Sequence, residues 1–210
     1  MTSAAIQHRT RIKICGITRL EDALSAAELG VDALGFVFYE KSPRYIAPEK
    51  AAEIIRQLPP FVTAVGLFVN PSHTFLASLL AKCPIDILQF HGDETPEFCA
   101  IQDHRVLKAV SVESAGDAEK VAAYDCPVLL DAKAPEGVYG GAGKAFDWKL
   151  VTGIEHKHAL VLAGGLTPAN VRDALKVRQW DAVDVSSGVE ISPGLKDAAL
   201  MREFVAAVRG

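Results

Sequence analysis

Cys15, Asp131, His91, Arg44 and two glycine-rich turns are the residues of this chain whose types and positions could do chemistry. Cys15 ends a short apolar run and is followed by Gly16; Asp131 ends another such run; and His91 stands at the end of Gln89-Phe90-His91-Gly92. A thiol at one strand end and a carboxyl at another suit general acid–base transfer or nucleophilic attack. A nucleophilic cysteine needs a base nearby, and His91 is the histidine placed at a strand end, at a distance that spacing does not give. Ser42-Pro43-Arg44 follows the second run and offers a planar cation. Gly164-Gly165-Leu166-Thr167 and Asp184-Val185-Ser186-Ser187-Gly188 follow the last two runs. Glycine lets backbone N–H groups approach an anion, so these turns point to a phosphorylated ligand. Plainer readings stand beside each of these. Cys15 fits a small buried residue, Asp131 a turn or cap, His91 a satisfied core histidine, Arg44 a surface cation, and the glycines tight turns.

The elements that must position these residues alternate along the chain. Runs rich in β-branched and apolar residues cover 11–15, 33–38, 63–69, 85–90, 106–111, 127–131, 159–163 and 182–186. Between them lie stretches whose apolar residues recur at three and four, read as helices over 20–29, 48–58, 71–82, 115–124, 168–176 and 196–208, with weaker signals over 95–101 and 147–154. Eight strand–helix units without a linker predict one α/β domain, a (β/α)8 barrel with eight parallel strands over residues 11–210, preceded by a tail over 1–10. An open doubly wound sheet is the competitor, but Cys15-Gly16-Ile17-Thr18 stands where its GxGxxG would follow the first strand. Thr18, Pro48, Pro71, Thr95 with Pro96, and Thr167 with Pro168 are placed to open helices. The connection over 132–146 is long and holds Gly137, Gly140, Gly141 and Gly143, which marks it as a functional loop or a disordered one.

Composition narrows the classes. With 210 residues, half of them hydrophobic, the chain has enough apolar material for one substantial core. A net charge of −4, with no basic stripe, argues against nucleic acid. The apolar runs are far shorter than the roughly 20 residues that span a bilayer, and residues 1–11 do not read as a secretory signal. A cytoplasmic protein with no membrane partner is expected, either a monomer or a homodimer. Cysteines 15, 83, 99 and 126 show neither ligand spacing nor a disulfide framework, so no metal is expected.

Several of these segments occur together in one known family. Lys13-Ile14-Cys15-Gly16-Ile17-Thr18, Gly35-Phe36-Val37-Phe38 with Ser42-Pro43-Arg44-Tyr45-Ile46, Gly66-Leu67-Phe68-Val69 and Leu88-Gln89-Phe90-His91-Gly92 resemble, in order, phosphoribosylanthranilate isomerases. So do Leu130-Asp131, the glycines over 140–143 with Phe146-Asp147-Trp148, Leu162-Ala163-Gly164-Gly165-Leu166 and Val183-Asp184-Val185-Ser186-Ser187-Gly188-Val189-Glu190. The resemblance covers residues 11–209. It implies an Amadori rearrangement of a phosphoribosylated aminoaldose to a ketose in tryptophan biosynthesis, with no metal and no organic cofactor. It further implies Cys15 as general base and Asp131 as general acid. Arg44 would hold the anthranilate carboxylate, and His91 would contact substrate. Phosphate would lie on Gly164, Gly165, Ser186, Ser187 and Gly188, Gly141 and Gly143 would close over it, and Asp184 would bind an amino or hydroxyl group. An unperturbed carboxyl titrates near ~3.9 and a thiol near ~8.5, so both roles demand that the site alter the ordinary protonation states. Related phosphosugar barrels expect other residues, such as paired aspartates, metal-binding histidines or a catalytic lysine. A non-catalytic scaffold barrel would have no use for Cys15, Arg44 and Asp131 together.

Overall fold

In the computed structural model, which describes residues 9–112, 117–131, 151 and 153–210, the eight apolar runs are eight strands closed into one barrel in chain order. They are β1 (Arg11–Cys15), β2 (Ala33–Val37), β3 (Thr63–Phe68), β4 (Ile87–Phe90), β5 (Arg105–Ser111), β6 (Val128–Asp131), β7 (Leu160–Ala163) and β8 (Ala182–Val185). All neighbouring pairs are parallel, and β1 against β8 completes the ring, with Lys13 opposite Asp184.

The period of two sorts each strand's side chains between two environments. Leu107, Ala109, Leu129, Val161 and Ala163 form an apolar cluster with Ile87 and Ala182 inside the ring. Their neighbours in sequence, such as Leu88, Val106, Val110, Leu130 and Leu162, belong instead to the larger core under the helices, which also holds Phe36, Phe68, Phe90 and Trp180. Register carries the inward set around the ring: Lys13 and Cys15 on β1, Gly35 on β2, Leu67 on β3, Gln89 on β4, Asp131 on β6 and Asp184 on β8 share it. Charged and polar inward residues therefore cluster at the C-terminal ends, above an apolar plug.

The helices among the described residues are α1 (Leu20–Glu28), α2 (Pro48–Ile55), α3 (His73–Leu80), α4 (Pro96–Ala100), α5 (Ala118–Ala122), α6 (Val171–Val177) and α7 (Ala198–Arg209). Pro48 opens α2 and Thr95 caps α4, as the sequence predicts. Three other starts differ. Arg19 rather than Thr18 precedes α1, and the Thr18 hydroxyl donates to Gly194 O instead. Ser72 caps α3 through Phe75 N, and α6 begins after Asn170, whose side chain accepts from Thr167 N. The predicted helix over 196–208 starts later, because β9 (Glu190–Ser192) and β10 (Leu195–Lys196) make an unpredicted hairpin and Asp197 caps α7 through Ala199 N and Leu200 N. The connection over 132–146, and residues 147–150 and 152 of the helix expected over 147–154, lie outside the described residues, as do residues 1–8 of the tail and 113–116, which include the start of the helix expected over 115–124. No helix among the described residues is long and apolar enough to cross a membrane.

Candidate active site

Inward residues at the C-terminal mouth surround a cavity of 380 Å³. Cys15, Arg44, His91, Asp131, Gly164, Gly165, Asp184, Ser186 and Ser187 all line it, so nine of the twelve residues singled out from sequence are brought together. Gly188 lies just behind the wall, packed on the Leu166 carbonyl. Gly141 and Gly143 fall outside the described residues. A second cavity, of 660 Å³, opens at the other end of the barrel, and none of the twelve lines it.

The mouth has two polar sides. On the β4 and β6 side, His91 Nε2 lies 3.1 Å from Asp131 Oδ2, while the Gln89 amide nitrogen lies 3.4 Å from His91 Nδ1. With Gln89 donating to Nδ1, the ring proton sits on Nε2 and is donated to Asp131 Oδ2. Gln89 Oε1 is buried with no partner among the described residues, and Gln89 lines the cavity, so this oxygen is available to a ligand N–H or O–H. The loop carrying His91 is anchored from outside the ring: buried Lys108 donates to Gly92 O at 2.6 Å and pairs with buried Glu94 at 2.8 Å. Glu94 also accepts from the backbone of Asn70 and Gly92.

On the β1 and β8 side, Lys13 Nζ sits 3.0 Å from Asp184 Oδ1, both side chains being less than a tenth exposed. Asp184 lines the cavity, and Lys13 occupies one of its two oxygens, Oδ1. Burial would strip the Lys13 charge; Asp184 and Cys15 more than offset this and hold the ammonium above its usual range. Burial pushes the Cys15 thiol up, Lys13 and Lys196 pull it down, and Asp184 adds to the upward push. Lys196, from β10, donates to Cys15 O at 2.5 Å and to Ser186 O at 3.3 Å, tying the ends of β1 and β8 together, and pairs with Glu190 at 2.7 Å. Glu190 takes the Arg44 Nε and Nη2 donors at 2.6–3.1 Å. Arg44 is thus held in plane by a carboxylate of the protein, and its Nη1 has no acceptor among the described residues.

The last side of the mouth is backbone. Gly164 and Gly165 both have positive φ, 82° and 64°, and Ser187 opens a 3-10 turn over Ser187–Val189. Among the described residues no acceptor takes the N–H groups of Gly164, Gly165, Ser187 or Gly188. Free amides in two facing turns form a place for an anion.

Lys13, Gln89, Glu190 and Lys196 were not singled out by sequence reasoning. Lys13 and Gln89 carried a signal, since each stands two residues before a candidate on the same strand and so shares its face. Lys196 carried none, because its hairpin has no local pattern.

The family model described as N-(5'phosphoribosyl)anthranilate (PRA) isomerase matches residues 12–207. The chain is 50% identical over 201 residues to the N-(5'-phosphoribosyl)anthranilate isomerase of Geobacter sulfurreducens, covering 95% of this chain and 98% of that one. Its fold is similar to the crystal structure of phosphoribosyl anthranilate isomerase from Thermotoga maritima, with a TM-score of 0.90 and 47% identity over 96% of this chain and 99% of the other. A further crystal structure of such an isomerase, in complex with reduced 1-(o-carboxyphenylamino)-1-deoxyribulose 5-phosphate, matches with a TM-score of 0.85 and 43% identity over 96% and 99% of the two chains.

Proposed function

The chain belongs to the N-(5'-phosphoribosyl)anthranilate isomerase family, and on that premise we propose which of its side chains carry the reaction. It is an isomerase of tryptophan biosynthesis that converts N-(5'-phosphoribosyl)anthranilate to 1-(o-carboxyphenylamino)-1-deoxyribulose 5-phosphate. The reaction moves protons at two atoms of one small ligand. Asp131 gives a proton to the furanose ring oxygen; the bond from that oxygen to C1′ breaks, and the anthranilate nitrogen supplies the electrons that make a protonated Schiff base. Cys15, as thiolate, removes the C2′ proton; the electrons of that C–H bond form C1′=C2′ and return the nitrogen lone pair. The resulting enolamine becomes the ketose when O2′ loses a proton and C1′ gains one.

The observation that carries this reading is that Cys15 and Asp131 face one cavity from β1 and β6, different sides of the same mouth. His91 donates to one Asp131 oxygen and leaves the other for substrate. The phosphate lies on the amides of Gly164, Gly165, Ser187 and Gly188, beside Ser186, and Arg44 offers its free Nη1 edge to the anthranilate carboxylate. Asp184, with Oδ1 held by Lys13, binds an amino or hydroxyl group of the substrate from the cavity wall. Gly141 and Gly143 are assigned to closure over the ligand on the family resemblance alone.

The test is loss of substrate fluorescence, with the substrate formed in situ, on adding purified protein, Cys15→Ala or Asp131→Asn. Wild type should consume it rapidly, and each variant should lose about 10²–10⁴-fold in kcat, the usual reach of positioned acid–base catalysis. A folded variant that keeps wild-type kcat removes that residue from the mechanism.

A further inference from the structure

Cys15 is an awkward base. It is a buried thiol, and burial disfavours the anion that must take the C2′ proton. Two ammonium groups are buried close by, and they do different things. Lys196 addresses the Cys15 carbonyl oxygen and shares its donors with Ser186 O and Glu190. Lys13 approaches the sulfur itself. It stands two residues before Cys15 on β1 and shares its face, and Gly35, the β2 residue in register with Cys15, has no side chain to separate them. A Cβ built on Gly35 would lie 2.7 Å from Cys15 Sγ and 3.1 Å from Lys13 Nζ, so both atoms converge on the gap that glycine leaves. Across that gap each of the two groups favours the charged form of the other. On its far side Asp184, the register partner of Lys13 on β8, holds the nitrogen at 3.0 Å.

We propose that Lys13 is a positioning residue for the reaction: its ammonium, anchored by Asp184, is the counterion that lets Cys15 give up its proton inside the barrel. The proposal rests on the reading of Cys15 as the base. The ammonium is as poorly solvated there as the thiolate, so Asp184 holds it in place from one side and the thiolate, once formed, stabilises its charge from the other. The charged groups around the sulfur are Lys13 from β1, Asp184 from β8 and Lys196 from β10, with His91 and Asp131 facing Asp184 across the mouth. Asp184 and Lys13 therefore act on Cys15 with opposite signs. That opposition separates a counterion from a mere structural ion pair, whose loss would damage the site in one direction whichever partner is removed.

The experiment is the pH dependence of Cys15 alkylation by iodoacetamide, read by mass spectrometry on the Cys15 peptide so that Cys83, Cys99 and Cys126 do not contribute, with kcat and KM profiles beside it. Lys13→Met should move the alkylation midpoint up by about 1–3 pH units, the range for losing an opposite charge at this separation. Its kcat at neutral pH should fall by about 10–1000-fold, with KM little changed and much of kcat regained at high pH. Lys13→Arg, which restores the charge, should recover most of the loss. Asp184→Asn should move the midpoint down. A folded Lys13→Met with the wild-type midpoint overturns the proposal; should that variant not fold, an Asp184→Asn midpoint that stays or rises overturns it. Cys15→Ala distinguishes the two levels: wild-type kcat in that variant refutes Cys15 as the base, whereas an inactive Cys15→Ala beside an unshifted Lys13→Met refutes only the role of Lys13.

Discussion

Gly188→Ala is the substitution whose effect can be worked most directly from the structure. A Cβ at Gly188 would lie 1.9 Å from Leu166 O, 3.0 Å from Leu166 C and 3.1 Å from Thr167 Cα, all backbone atoms of the turn after β7. Ordinary contact starts near 3.4 Å, so the two turns must part by about 1.5 Å. Amides of these turns are the ones assigned to phosphate. Such an opening lengthens hydrogen bonds of about 2.9 Å beyond any useful distance on one side of the cradle. Two charge-assisted bonds lost at roughly 1.5–3 kcal/mol each amount to about 10²–10⁴-fold in kcat/KM, while the overpacking itself costs about 1–3 kcal/mol of stability. Gly165→Ala is the control. Its φ is 64°, so alanine is strained by about 1–2 kcal/mol, but the added Cβ meets nothing within 4 Å and pushes nothing apart. The assay is kcat/KM from substrate fluorescence, together with the inhibition constant of inorganic phosphate. Gly188→Ala should weaken both at least tenfold more than Gly165→Ala does. A folded Gly188→Ala with wild-type phosphate inhibition would place the phosphate away from these two turns.

Two further predictions concern what holds the mouth in place. Lys108→Met leaves Glu94 buried without its cation and frees the Gly92 carbonyl, and should cost about 3–5 kcal/mol in urea unfolding, part of it recovered by adding Glu94→Gln; a loss below about 1 kcal/mol would show the pair to be dispensable. Glu190 should give the fold part of its acid sensitivity. Burial pushes its carboxyl up, but Arg44 and Lys196 more than offset this and hold it below the usual range. Its contribution is therefore complete above the unfolded value near ~4.3 and is lost as pH falls through the lower folded value, because the unfolded chain takes up the proton first. Urea titrations from about pH 3 to 6 should show a flatter acid limb for Glu190→Gln than for wild type; equal slopes would contradict the sign.

The strands were legible because burial on both faces leaves little freedom in composition. Val128–Asp131 and Leu160–Ala163 are almost wholly apolar, and a closed parallel barrel demands such runs. The helix starts were less so. Thr18 and Ser72 are both good cap residues, yet Thr18 bonds to Gly194 across the chain while Ser72 caps locally, and no local pattern distinguishes a cap from a tertiary contact. The same limit explains the site. Cys15, Asp131 and the glycine turns stand at strand ends and were readable from position. Arg44 was readable as a cation, but its pairing with Glu190, 146 residues away, is a product of the closed ring. Lys196 lay inside what the sequence read as a helix, and the β9–β10 hairpin that carries it is visible only in three dimensions.

The placement of charge inside the barrel explains why one small mouth can hold an acid and a base at once. Were Cys15 and Asp131 adjacent, the anion of one would oppose ionisation of the other, and the two would titrate as a pair. They instead stand on β1 and β6, each with its own partner: Lys13 and Asp184 beside the thiol, His91 and Gln89 beside the carboxyl. Below them Leu107, Leu129 and Val161 form an apolar layer, so each partner works at short range in a medium that screens poorly. The chemistry sets the separation, because a ring oxygen and a C2′ proton are different atoms of one sugar. Eight strands around one axis let two residues approach the same ligand from different directions, which a residue pair on one strand could not do.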